Sequence, residues 1–191
     1  MKRLVEEYRR ISEHHWQAER NFFARVVLPS SVVRVFRAGT RPKLLDALVT
    51  AEIDNLNSVT SQAQFKQFFE SQLCRLARVI SRTNAGNPRV YPGYKWGHGT
   101  KILCLFLRDT VLHSHYFSED RANRLSRYLY APIDNIVISR LKELGYETPF
   151  TSIREIDSPE KFYGVQDDLR NAARSVGVPR VWFDDNWGQR V

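Results

Sequence analysis

Two short stretches carry residue types that could do chemistry. The first, Trp96-Gly97-His98-Gly99-Thr100-Lys101, sets two glycines immediately before a lysine, and an apolar run, Ile102 to Leu107, follows. The second, Tyr130-Ala131-Pro132-Ile133-Asp134, ends in an aspartate placed to open a helix that runs to Gly145. A glycine turn ending in a lysine at the mouth of an apolar helix suits either of two tasks. It can grip a phosphate through outward-facing backbone N–H groups beside a helix N-terminus, or it can present an amine as a nucleophile.

Nucleotide hydrolysis is excluded by spacing. A phosphate-binding loop of that kind needs Gly-x-x-x-x-Gly-Lys-Ser/Thr after a strand, whereas the order here is Gly-x-Gly-Thr-Lys with no apolar strand before it. The dinucleotide fingerprint fails as well, for want of a third glycine and a βαβ unit. The histidines His14, His15, His113 and His115 come with no CxxC or HExxH pattern, so no metal and no cofactor is expected.

Apolar-Gly-apolar-Gly-x-Lys resembles the hairpin of a helix-hairpin-helix motif, with His98 departing from the second apolar slot. Pro132-Ile133-Asp134 followed by Ile136-Val137, Arg140-Leu141 and Gly145 resembles the segment that follows that hairpin in DNA glycosylases of the helix-hairpin-helix superfamily. The resemblance covers Tyr91 to Gly145. Lys101 and Asp134 lie 33 residues apart, a long spacing that is most similar to the archaeal 8-oxoguanine glycosylases. The intervening segment, about 110–127, reads as an additional helix without chemistry.

The resemblance implies an all-α fold of two packed helical lobes forming one glycosylase-like domain over residues 1–191, with the helix-hairpin-helix and catalytic segment at about 88–145. It implies a bifunctional DNA N-glycosylase/AP lyase that excises an oxidised or modified purine, with Lys101 as nucleophile and Asp134 as its partner. Gly97, His98, Gly99, Thr100, Lys95 and Arg140 would meet the DNA backbone, along with Arg89 and Arg108. The base pocket would draw on tail residues, Trp182, Phe183, Trp187, Asp184 and Asp185, with Cys104 and with Trp16 and Trp96 as further aromatic candidates. The partner would be damaged or modified DNA, duplex or single-stranded. Two other readings stand beside this one: a non-catalytic helix-hairpin-helix DNA-binding protein, and a family member redirected to another modified nucleobase in defence against foreign DNA.

The chemistry explains why such residue types would be used. An amine attacks C1′ of the sugar only when unprotonated, and a lysine's ordinary pKa is about 10.4. A helix N-terminus and an apolar run both disfavour the ammonium form. A carboxylate beside the sugar stabilises the positive charge that builds as the N-glycosidic bond breaks.

Helices must position these groups. Leu4 to Val27 reads as an amphipathic helix with Val5, Tyr8, Ile11, His15, Ala18 and Phe22 on its buried stripe. The β-branched run Val32 to Phe36 is either extended or a lead into the turn at Gly39. Arg41-Pro42 opens a helix over Lys43 to Ile53. Ser61-Gln62-Ala63-Gln64 has capping-box spacing before a long helix buried through Phe65, Phe68, Phe69, Leu73, Leu76 and Ile80. Residues 83–100 read as a loop, Lys101 to Leu112 as the apolar helix, and Glu119 to Leu129 as a helix capped by Ser118. The next runs from Pro132 to Leu144, and Ser158-Pro159-Glu160 starts the last, ending near Gly177.

The totals agree with this class. The chain has 191 residues, 42% of them apolar, enough to bury a core, and a formal net charge of +8 that favours a polyanionic partner. Two cysteines, Cys74 and Cys104, both in apolar helical patterns, give no disulfide framework. With no signal peptide and no membrane span in the pattern, a cytoplasmic monomer meeting DNA and no membrane is the expectation.

Overall fold

The computed structural model describes residues 2–28, 31–87, 90 and 92–183. Every regular element among them is helical. The seven α-helices among the described residues are α1 (Lys2–Val27), α2 (Thr40–Val49), α3 (Gln62–Thr83), α4 (His98–Leu112), α5 (Glu119–Ser126), α6 (Asn135–Glu143) and α7 (Pro159–Ser175). Short 3-10 turns join them, at Ser31–Val35, Ile53–Ser58, Pro92–Lys95, Ile153–Glu155 and Arg180–Phe183.

Local chemistry accounts for most boundaries. Ser61 caps α3, its hydroxyl accepting from the Gln64 N–H, while the Gln64 side chain accepts in return from the Thr60 N–H at 2.7 Å. Ser118 and Ser158 cap α5 and α7 in the same way. Gly39, in the left-handed region at φ 87°, turns the chain so that α2 begins at Thr40 rather than Lys43. Pro42 then sits in the first turn, where its missing N–H has no partner to lose. The Thr50 hydroxyl donates to the Asp46 carbonyl and the helix ends there, short of Ile53. The run at 32–36 is a 3-10 turn, not a strand.

α3 packs between α2 and α4, and α1 lies across α2 and α4. The buried apolar side chains make one continuous cluster from Phe23 to Val181. α1 corrects the sequence reading. The stripe Val5, Tyr8, Ile11, His15, Ala18 and Phe22 faces solvent, and the buried side is instead Arg20, Phe23, Ala24 and Val27. Both faces carry apolar residues at helical spacing, and only contacts with α2 and α4 select between them. Trp16, on the packed side, stacks on Tyr116 with ring centroids 4.0 Å apart.

The glycine stretch also differs from the loop expected of it. Residues 92–95 form a 3-10 turn and α4 starts at His98, so Lys101 lies one turn inside the helix, its N–H bonded to the Gly97 carbonyl at 3.1 Å. Gly97 is at φ −91°, and Gly99 does not occupy the left-handed region either. Gly99 lies close to α3: a Cβ there would stand 3.2 Å from the Leu73 methyl, a tight contact. No described helix is long and apolar enough to cross a membrane.

Candidate functional site: a lysine–aspartate pair between two helices

Lys101 is carried by α4, the most apolar of the helices, whose faces are almost wholly buried. Asp134, itself in an extended conformation, follows the irregular segment 129–133 and caps α6. Its two oxygens divide the work. Oδ1 accepts from the N–H groups of Ile136 and Val137, both at 2.9 Å, which fixes the carboxylate against the helix end. Oδ2 is left to face the amine of Lys101, which donates to it at 2.9 Å. The side chains are 11% and 20% exposed, so the couple is shielded yet reachable from solvent.

The segment leading to Asp134 is held from α7. The Gln166 side chain accepts from the Ala131 N–H at 2.9 Å and donates to the Ala131 carbonyl at 2.7 Å. Beyond the cap, the Asn135 side chain accepts from the Ile153 N–H. α6 therefore starts at Asn135 rather than Pro132, and the proline belongs to the irregular segment that leads to the cap. Gly145, at φ 78°, ends the helix as expected.

His98 stands one turn before Lys101 and is 4% exposed, edge-on to Phe36. Burial first, then the charges of Arg154 and Lys101, pull its pKa down to about 4, so the ring is neutral at physiological pH.

Several expected site residues are placed otherwise. Gly97, His98, Gly99 and Thr100 are all buried, and the Thr100 hydroxyl is spent on the carbonyls of Trp96 and Gly97. α3 packs directly against this turn, which encloses these side chains. Lys95 lies over the Trp96 ring, 4.9 Å from its centroid, and reaches the Cys74 sulfur at 3.4 Å. Arg140 pairs with Glu143 at 2.6 Å on the exposed side of α6, and Arg108 with Asp109 at 2.8 Å.

Trp96 packs against Phe162 and Tyr163, so it and Trp16 fill contacts within the fold. Cys104 is buried one turn beyond Lys101. Trp182 is exposed and Phe183 half-buried at the end of the described chain. Trp187, Asp184, Asp185 and Arg89 lie outside the described residues. Among the described residues, cavities of about 760, 380 and 310 Å³ open on the surface, and Lys101 and Asp134 line none of these. Among the described residues no group of three or more histidine, cysteine, aspartate or glutamate side chains comes together in a manner that would hold a metal ion.

Sequence reasoning missed Arg180, which is 2% exposed. Its guanidinium donates to the carbonyls of Tyr128, Leu129 and Gln166 and to the Gln62 side chain, at 2.7 to 3.1 Å, and lies over the Tyr130 ring at 4.4 Å. It ties the last 3-10 turn to the segment that ends in Asp134. The only signal was an arginine between Pro179 and the apolar Val181-Trp182-Phe183.

The fold and the pair define an all-helical protein with a shielded lysine–aspartate couple between two of its helices. Compared with protein-family models, with curated proteins and with solved structures, the chain gives no significant match.

Proposed function

We propose that this chain is a DNA N-glycosylase/AP lyase acting on a modified purine, with Lys101 as nucleophile and Asp134 as its proton acceptor. The observation that carries the reading is the 2.9 Å contact between the Lys101 amine and Asp134 Oδ2, made by the two residues that the motif resemblance pairs. A lysine that is to attack carbon must first lose a proton, and a fixed carboxylate oxygen in hydrogen-bond reach is the group to receive it.

The reaction then follows from what these groups can do. Lys101 Nζ forms a bond to C1′ as the N-glycosidic bond breaks, and the base leaves with the bonding electrons and takes up a proton. Asp134, held by its two backbone N–H donors, passes the proton taken from Lys101 to the leaving base, which restores its negative charge beside the sugar as positive charge develops there. Opening of the sugar ring gives a Schiff base, and loss of a proton from C2′ expels the 3′ phosphate and nicks the strand. The formal charge of +8 supports a polyanionic substrate.

The test is borohydride trapping on duplexes carrying single modified bases. The expected result is a covalent protein–DNA adduct that Lys101→Gln abolishes, with single-turnover nicking lowered on the order of 10³-fold, while the variant stays folded by circular dichroism. An adduct of undiminished yield in Lys101→Gln would remove Lys101 from the mechanism. Salt-sensitive DNA binding with no adduct from the wild-type chain would favour a binding protein instead.

A further inference from the structure

The cavity of about 760 Å³ opens between α5, the turn at 127–128, the C-terminal part of α7 and the last 3-10 turn. It falls in the size range of ligand-binding clefts, about 300–1,000 Å³. Four arginines line it: Arg127, Arg170, Arg174 and Arg180. Polar neighbours Gln62 and Asn123 share the lining, and Trp182 stands at its edge, 49% exposed.

The charge in this cleft is poorly compensated. Arg180 is buried, and everything it bonds is a neutral carbonyl or amide oxygen. Burial pulls its pKa down to about 10, with Arg170 acting in the same direction and Asp167 among the groups acting against it, which leaves it charged. Arg170 pairs with Asp167 at 3.1 Å through one terminal nitrogen, while its Nε is buried without a hydrogen-bond partner. Arg127 and Arg174 are exposed at the rim. A buried cation lining the cleft, with two exposed guanidinium groups beside it, makes a strong attractor for phosphate. A large aromatic face left in solvent beside that charge is the arrangement on which unpaired bases stack.

We infer that this cleft binds a single strand of nucleic acid, its phosphodiester backbone on Arg127, Arg170 and Arg174 and one base laid on Trp182. The site lies apart from the Lys101–Asp134 pair, neither of whose residues lines it. The choice of a nucleic acid as the polyanion rests on the reading of the chain as a DNA enzyme. The binding itself requires no chemistry.

The experiment measures fluorescence anisotropy of a labelled eight-nucleotide oligothymidylate with the full chain over a KCl series. For the double variant Arg127→Gln/Arg174→Gln the expected result is about tenfold weaker binding, with the slope of log K against log [KCl] reduced by about 0.7 for each lost phosphate contact. Trp182→Ala should weaken binding about tenfold with little change in slope. Circular dichroism and urea midpoints confirm that the variants are folded.

Wild-type affinity and slope in the double variant would overturn the proposal. So would competition by inorganic phosphate or thymidine monophosphate at the oligonucleotide's own concentration, which would mark a small-anion site. Equal binding of a blunt duplex, unaffected by Trp182→Ala, would overturn the single-strand assignment. Because the oligonucleotide carries no modified base, its binding and the borohydride adduct on modified duplex report separately, and either can fail alone.

Discussion

Lys101 and Arg180 are both cations withdrawn from solvent, and they are held in opposite ways. Lys101 has a carboxylate at 2.9 Å, a partner that can itself take the proton. Arg180 has three backbone carbonyls, one side-chain amide oxygen and an aromatic face. None of those acceptors titrates in the physiological range, and a guanidinium does not give up its proton there. On the proposed mechanism the first couple passes a proton within the reaction, whereas the second holds structure and attracts anions. Burial of a positive charge is therefore not by itself a mark of catalysis.

Arg180→Ala is expected to have the largest effect on stability, a loss of about 3–5 kcal/mol, because three buried carbonyls lose their donor at once and a void opens between α7 and the 128–131 segment. Urea unfolding followed by circular dichroism measures it. A loss under about 1 kcal/mol would show that Arg180 is not the structural member of the comparison.

Acid should affect the other region first. The folded-state pKa of His98, about 4, lies below its unfolded value near 6.5, so the unfolded chain binds more protons between those values. The stability from a neutral His98 is complete above about pH 6.5 and is lost as pH falls toward 4, with a ceiling of about 3 kcal/mol. Urea midpoints at pH 7.0 and 4.5 should differ more in the wild type than in His98→Phe. Equal differences would mean that His98 does not sense the burial of the lysine's turn.

The smallest effect sharpens the role of Asp134. Both Asp134→Asn and Asp134→Ala remove the charge facing Lys101, but only the asparagine retains an oxygen to cap α6. Alanine should therefore be less stable than asparagine by about 1 kcal/mol. On the proposed mechanism both variants lose adduct formation. Retention of adduct in Asp134→Asn would show that the cap alone matters, and would move Asp134 from chemistry to positioning.

Much of this frame was legible beforehand. Ser61, Ser118 and Ser158 cap the helices their spacing announced, and Pro159 and Gly145 mark a start and a stop, because caps and breakers act within a few residues of themselves. The glycine stretch was misread for a related reason. Gly97 and Gly99 suggest a free turn, yet Gly99 lies close to Leu73, a residue of α3 far away in the chain. The α1 stripe failed likewise, since periodicity reports that a face is apolar and not what will cover it.

The residues alone determined an all-helical chain, where most helices begin and end, and that one lysine lies near the start of one helix and one aspartate at the start of another. Such features depend on backbone hydrogen bonding and side-chain polarity over short spans. Only the tertiary structure decided that the amine and carboxylate touch across 33 residues, that the glycine stretch 97–100 is buried, and that Arg180 closes the chain against the segment leading to Asp134. Those outcomes depend on which surfaces pack together, and packing joins residues whose separation along the chain carries no local signal.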